Sequence, residues 1–143
     1  NPRALLEAFL KRLTADKIIR PGRFTVSGGL IPVSGMRSEL VKDNVLFCGD
    51  AAGLTHPITG AGIPQAVVSG TFAGRSVAAA VQSGSDQPLL TYQNEMNAMY
   101  KGVLGHACAK RMLLMNSWSN LDFLKLCEGT WIGFKGYRQR VRS

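Results

Sequence analysis

The stretch Val45-Leu46-Phe47-Cys48-Gly49-Asp50-Ala51-Ala52-Gly53-Leu54-Thr55-His56-Pro57-Ile58-Thr59-Gly60-Ala61-Gly62-Ile63 decides how the chain is read. Val45 to Cys48 is an unbroken apolar run, the pattern of a strand covered on both faces, and Gly49 and Asp50 stand where such a strand would end. In open α/β sheets that end is where ligands bind. Asp50 can accept hydrogen bonds from ligand hydroxyls, and Gly49 lets a ligand approach the backbone closely. Beyond Pro57, the turn Thr59-Gly60-Ala61-Gly62 feeds a helical pattern, and the free N–H groups and positive dipole end of a helix start favour negative charge.

Gly49-Asp50-Ala51-Ala52-Gly53, then Pro57, then Thr59-Gly60-Ala61-Gly62-Ile63, resembles the second FAD-binding motif of the para-hydroxybenzoate hydroxylase-like flavoproteins, a superfamily that includes geranylgeranyl reductases and aromatic hydroxylases. The Ala52-Gly53 ending and the Pro-x-Thr-Gly-x-Gly-Ile run are most similar to the geranylgeranyl reductase branch, whereas aromatic hydroxylases more often carry His in place of Gly53. The resemblance covers about residues 24 to 95. It implies FAD as cofactor. It also implies that Asp50, next to the cofactor-binding Gly49, binds the ribityl or phosphate-bridging part, that the backbone of Gly60, Ala61, Gly62 and Ile63 faces the flavin pyrimidine, and that Pro57 shapes the pocket beside the ring. It assigns no catalytic acid. The activity implied is reduction of isoprenoid C=C bonds. A flavin-dependent hydroxylase or an electron-transferring dehydrogenase of the same superfamily is the alternative.

Flavoproteins of this kind open with a strand and a G-x-G-x-x-G turn that holds the FAD pyrophosphate, and this sequence contains no such turn. It also starts at Asn1. The expectation is therefore an α/β chain that forms the C-terminal portion of a two-dinucleotide-motif FAD-binding fold, without the N-terminal Rossmann βαβ unit. Residues 1–85 would belong to the FAD-binding domain and 86–143 to a helical C-terminal region. The N-terminal part of the parent flavoprotein is the expected partner, an isoprenoid or lipid the expected substrate, and the isolated chain is expected to bind FAD weakly or not at all.

A length of 143 residues suits one ordinary domain with a sizeable core. The 17 Lys and Arg outnumber 9 acids, and part of the excess lies at the C-terminus in Lys135, Arg138, Arg140 and Arg142. A basic module that binds a partner without cofactor is the non-enzymatic reading of that charge, although a solvated chain end is the commoner case. Nucleic-acid binding has only the net charge in its favour and is not expected. Cys48, Cys108 and Cys127 are odd in number and lack a C-x-x-C pair, which fits a reducing, cytoplasmic setting rather than a disulfide framework or zinc ribbon. No apolar run is long enough to span a bilayer, so membrane contact would be peripheral.

Asn1 can cap a helix with Pro2 at its first position, Leu5, Leu6, Phe9 and Leu13 form its apolar side, and Glu7 and Lys11 make an outer pair. Phe24, Val26 and Gly28 alternate with Thr25 and Ser27 as in a strand, and Gly28-Gly29-Leu30-Ile31-Pro32 resembles the family segment that lies near the flavin. Pro32 equally suits a sheet edge. Arg37 is a loop residue expected to be solvated.

From Gly62 to about Gln82 a helix is expected with Ile63, Val67, Val77 and Val81 along its covered side and a small-residue ridge of Ala66, Gly70, Gly74 and Ala78. A second helix starts near Asp86 and Pro88, buries Leu89, Tyr92, Met96, Met99, Val103 and Ala107, and bends near Gly102 and Gly105. Met112, Leu113, Leu114, Met115 and Trp118 form an apolar patch. A short helix around Leu121 to Cys127 and an aromatic tail with Trp131, Phe134 and Tyr137 follow, the tail docking within the protein.

His56 and His106 are far apart and neither has a His or Cys partner at helical spacing, so no metal site is indicated. His56, beside the flavin loop, is either a proton relay or an exposed loop histidine. Neither a G-x-S-x-G elbow nor a Walker lysine occurs, which removes the hydrolase and P-loop readings.

Overall fold

A computed structural model describes residues 1–119 and 122–141. Leu121, at the start of the expected short helix, and Arg142, of the basic tail, lie outside the described residues.

Helix α1 spans Pro2–Ala15, with Asn1 as its N-cap accepting from the Arg3 N–H and Pro2 in the first turn, where its missing N–H costs nothing. Glu7 pairs with Arg3 at 3.1 Å rather than with Lys11, on an exposed face where such a pair contributes little. Leu5 and Phe9 are exposed. Residues 23–33 follow without regular secondary structure, so the strand expected at Phe24 to Gly28 is absent from the structure. An alternating pattern becomes a strand only when a neighbouring strand takes up its backbone groups, and no described residue does so here.

The only sheet among the described residues is an antiparallel ribbon of β1 (Val41–Lys42) and β2 (Val45–Leu46). It pairs Val41 with Leu46 and Lys42 with Val45. Asp43, at φ +51°, turns the chain between the strands, a backbone state to which short polar side chains are suited. The expected strand Val45 to Cys48, covered on both faces, is thus half a hairpin with Val45 exposed. After β2, Gly49–Ala52 forms one turn of 3-10 helix.

Helix α2 (Ile63–Ser83) ends at Gly84, which takes the left-handed conformation of a helix stop. The side expected to be covered, with the N-terminal part of the parent protein as its expected partner, faces outward in this chain. Ser69 and Ser76 face the body, whereas Ile63, Val67, Val77 and Val81 are exposed and Gly70 and Gly74 meet nothing within 4 Å.

Helix α3 (Gln87–Met96) passes through a π-turn at Asn97–Lys101 into α4 (Gly102–Ser117). A π-turn holds an extra residue, so the buried face shifts along the sequence. Met96 is followed inward by Leu104 and Ala107, while Met99 and Val103, expected inside, are exposed. The irregularity lies just before Gly102, and α4 continues through the Met112–Met115 patch. Helix α5 (Phe123–Thr130) starts at Asp122, whose carboxylate caps the Leu124 N–H, and a 3-10 turn (Lys135–Arg138) follows.

The core joins Leu40, Ala52 and Leu54 to Tyr92, Met96 and Leu104. Tyr92, fully buried, donates its hydroxyl to the Phe47 carbonyl at 2.6 Å, and burial raises its pKa to about 12. Gln93 Oε1 accepts from the Leu40 N–H at 2.6 Å. These two bonds clamp the hairpin onto α3, which places the residues after β2.

Candidate functional site

The 3-10 turn after β2 carries Asp50 on its first residues, and the chain then doubles back through Thr55, Pro57 and Gly60 to the start of α2. Two contacts fix this path. The Gly49 N–H donates to the buried Ser69 Oγ at 2.9 Å, tying the end of the ribbon to α2. Thr55 Oγ1 donates to Asp50 Oδ1 at 2.5 Å, which aims the carboxylate across the start of the helix.

The result is an open cavity of about 470 Å³. Gly49, Asp50, Gly60, Gly62 and Ile63 line it together with Cys48, Ile31 and Ala66. Of the residues singled out in the sequence, the structure brings these five to one place. Pro57 is buried beside them with its carbonyl turned to Arg111, and Ala61 lies outside the lining, exposed, holding the His56 N–H with its carbonyl at 2.8 Å. Ile31 comes from the Gly28–Pro32 segment. Thr55 and Cys48 had no sequence signal beyond their nearness to Asp50, because their roles depend on how the turn folds back.

The Asp50 carboxylate is on an exposed residue and has acceptor capacity beyond its bond to Thr55. Opposite it, the first backbone bond of α2 runs from the Ala66 N–H to the Gly62 carbonyl, so the N–H groups of Gly62, Ile63 and Gln65 precede the intrahelical ladder. Gly62 sits between the two. A Cβ there would lie 3.1 Å from both Asp50 Oδ1 and Thr55 Oγ1, a tight contact that would push on the pair, so the glycine leaves room on this side of the cavity. An acceptor for hydroxyl groups thus faces donors for carbonyl or anionic groups, the two kinds of partner that a sugar-alcohol chain joined to a heterocyclic ring requires. The residues fit part of a flavin nucleotide.

The loop between Pro57 and Gly62 is held from below. Arg111 Nη1 donates to the Pro57 carbonyl at 3.0 Å, His56 Nδ1 accepts from the Ile58 and Thr59 N–H groups at 3.3 Å each, and Tyr137 Oη is 3.2 Å from His56 Nε2. His56 is half-buried, and burial lowers its pKa. Arg37 is exposed, as expected of a loop arginine, with its guanidinium 4.3 Å from the centre of the Phe47 ring and its backbone N–H donating to the Ala52 carbonyl. Among the described residues no group of three or more His, Cys, Asp or Glu could hold a metal ion, and no helix is long and apolar enough to cross a membrane.

Comparison with known proteins gives the same assignment by an independent route. Digeranylgeranylglycerophospholipid reductase 1 of Methanothermobacter thermautotrophicus is 40% identical over 80 residues, covering 56% of this chain and 19% of that protein. The corresponding reductase of Methanothrix thermoacetophila is 34% identical over 127 residues, covering 86% of this chain and 31% of its own length. That of Methanocaldococcus jannaschii is 32% identical over 125 residues, covering 83% and 32%. The chain therefore spans about a fifth to a third of these relatives. No solved structure gives a significant match. Residues 27–107, more than half of the chain and the part that builds the cavity, match the FAD binding domain family, and the chain belongs to that family.

Proposed function

We propose that the chain is the C-terminal part of the FAD-binding domain, with a helical extension, of a longer oxidoreductase that reduces isoprenoid C=C bonds in the manner of geranylgeranyl reductases. The meeting of the Asp50 carboxylate with the N–H groups at the start of α2 in one cavity carries this reading. Asp50 would accept from the hydroxyls of the ribityl chain, and Gly49 would let that chain lie against the backbone. Gly60 to Ile63 would face the pyrimidine edge of the ring, where the helix dipole favours negative charge. Pro57, held by Arg111, would keep the loop in place beside it. FAD, when bound and reduced, supplies the hydride for the C=C bond.

Three further features support parts of the reading. A second cavity, of about 410 Å³, is lined by Val33, Cys108, Met112 and Met115 with the polar Ser34 and Asn116, and by Arg111, whose guanidinium also holds the Pro57 carbonyl. Its methionines suit irregular apolar chains, as a prenyl lipid would present. The outward apolar side of α2, with its Gly70 and Gly74, offers a close-packing surface to the N-terminal part of the longer protein. Peripheral membrane contact would involve Trp131 and Phe134, exposed beside the basic residues Lys135, Arg138 and Arg140, in an enzyme otherwise cytoplasmic. The hydroxylase alternative is disfavoured at Gly53, where a Cβ would lie against the Gly35 carbonyl and a histidine has no room.

The test is the visible absorption spectrum of the full-length protein purified beside Asp50→Ala. A flavin spectrum in the parent with FAD held at least about tenfold more weakly by the variant is expected from loss of charge-assisted hydrogen bonds. A parent that stays colourless after addition of FAD and removal of the excess leaves the basic partner-binding module as the better account.

A further inference from the structure

His56 stands next to Pro57, and its ring is engaged at both nitrogens. Nδ1 accepts from the Ile58 and Thr59 N–H groups, and Nε2 is 3.2 Å from Tyr137 Oη. A ring nitrogen that accepts N–H bonds carries no proton, so the proton of the neutral imidazole is on Nε2 and is donated to Tyr137. The backbone of His56 closes the same loop, its N–H donating to Ala61 O and its carbonyl accepting from the Gly60 N–H at 2.9 Å. Ring and backbone together bridge most of the segment from Pro57 to Ala61.

Tyr137 lies 81 positions along the chain and is itself held from α4. His106 Nε2 donates to the Tyr137 carbonyl at 2.7 Å, the His106 ring meets the Tyr137 ring edge to face at 5.0 Å, and Lys110 Nζ reaches the Gly136 carbonyl at 3.3 Å. A surface aromatic packed for burial alone would not require two α4 side chains to fix its backbone.

We propose that Tyr137 is a positioning residue for the FAD-facing loop, acting through His56. Its hydroxyl oxygen holds the imidazole as the Nε2–H tautomer, which leaves Nδ1 to order Ile58 and Thr59 and so to fix Gly60 to Ile63 at the start of α2. This rests on the FAD reading above.

The arrangement makes the loop sensitive to acid. A second proton can enter His56 only at Nδ1, where it breaks both N–H bonds. Burial acts in the same direction, keeping the folded pKa below the ordinary imidazole value. The titratable and charged side chains around the ring are Tyr137 and, from α4, His106 and Lys110 behind it, Cys108, which acts on the Tyr137 hydroxyl, and Arg111 on the Pro57 carbonyl. The ordering contribution of His56 is fully present above about pH 6.5 and is lost as pH falls through the lower folded value.

The experiment measures the FAD dissociation constant of the full-length flavoprotein from about pH 5 to about pH 8, for the parent, Tyr137→Phe and His56→Asn. Parent affinity should hold at and above about pH 6.5 and fall only once pH drops through the lower folded pKa of His56. Tyr137→Phe should bind FAD about threefold to tenfold more weakly at the alkaline end, the effect of one net hydrogen bond. His56→Asn, whose amide oxygen can accept from the same N–H groups without titrating, should lose the acid fall and retain FAD where the parent releases it. A flavin-bearing parent whose two variants follow its curve overturns the Tyr137 assignment alone, whereas a parent that holds no FAD at any pH overturns the cofactor reading with it. Should Tyr137→Phe fold poorly, His56→Asn decides: an acid fall that survives in that variant overturns the proposal.

Discussion

Gly53 has φ +71°, and a Cβ built on it would come within van der Waals overlap of the Gly35 carbonyl, with Met36 Cα at 3.3 Å. The close approach is what allows the Arg37 N–H to bond to the Ala52 carbonyl, so the loop before β1 is pinned to the turn that carries Asp50. Gly53→Ala combines left-handed backbone strain with overpacking and should destabilise the protein by about 2–4 kcal/mol in denaturant unfolding of the full-length protein. An effect under about 1 kcal/mol would show that the turn relaxes freely. The sequence marked Gly53 through its place in a motif. The reason for glycine there, a backbone passing 18 positions earlier in the chain, was outside any local window.

The path from α3 to α4 belongs to the scale of elements. The extra residue of the π-turn sets Leu104, Ala107, Lys110 and Arg111 in their places relative to Met96. Removing the exposed Ala98 would leave Met96, Tyr100 and Leu104 at ordinary three- and four-residue steps, so an uninterrupted helix could present nearly the same face. Removing Gly105 instead rotates everything after it by about 100° and takes Arg111 away from the Pro57 carbonyl. Deletion of Ala98 should therefore keep a cooperative melt and bound FAD, while deletion of Gly105 should lose FAD at equal helical content by circular dichroism. Equal behaviour of the two would mean that the register of α4 does not position the loop. Three- and four-residue spacing showed the long helix, and the glycines at 102 and 105 suggested a bend, whereas the irregularity is the π-turn at Asn97–Lys101. The spacing assigned Met99 and Val103 to the buried face because a pattern read at one period cannot register an inserted residue.

On the scale of the whole molecule, the outward side of α2 separates two states. In this chain by itself, Gly70 meets nothing within 4 Å and sits in a helix interior, so Gly70→Ala should stabilise the helix by up to about 1 kcal/mol. In the full-length protein, where the proposed N-terminal part packs on that ridge, the same methyl should destabilise by about 1–3 kcal/mol. Thermal melts of both lengths check this, and stabilisation in the full-length protein would remove the ridge as a packing surface.

What the sequence determined by itself is what depends on neighbours along the chain. Asn1 and Pro2 start α1, Gly84 stops α2, and the Asp50 to Ile63 motif assigns the FAD family, because caps, helix periods and Gly-rich turns act within a few residues. Tertiary structure decided what depends on partners brought from a distance. Val45 and Leu46 pair with Val41 and Lys42 in a hairpin rather than forming a strand covered on both faces, Phe24 to Gly28 forms no strand, and α2 buries Ser69 while exposing Val67. Tyr137 reaches His56 because α4 carries the chain end back beneath the loop. A strand needs another strand, an apolar face needs a cover, and a hydroxyl needs an acceptor or donor. Local pattern states those needs without saying which part of the chain meets them.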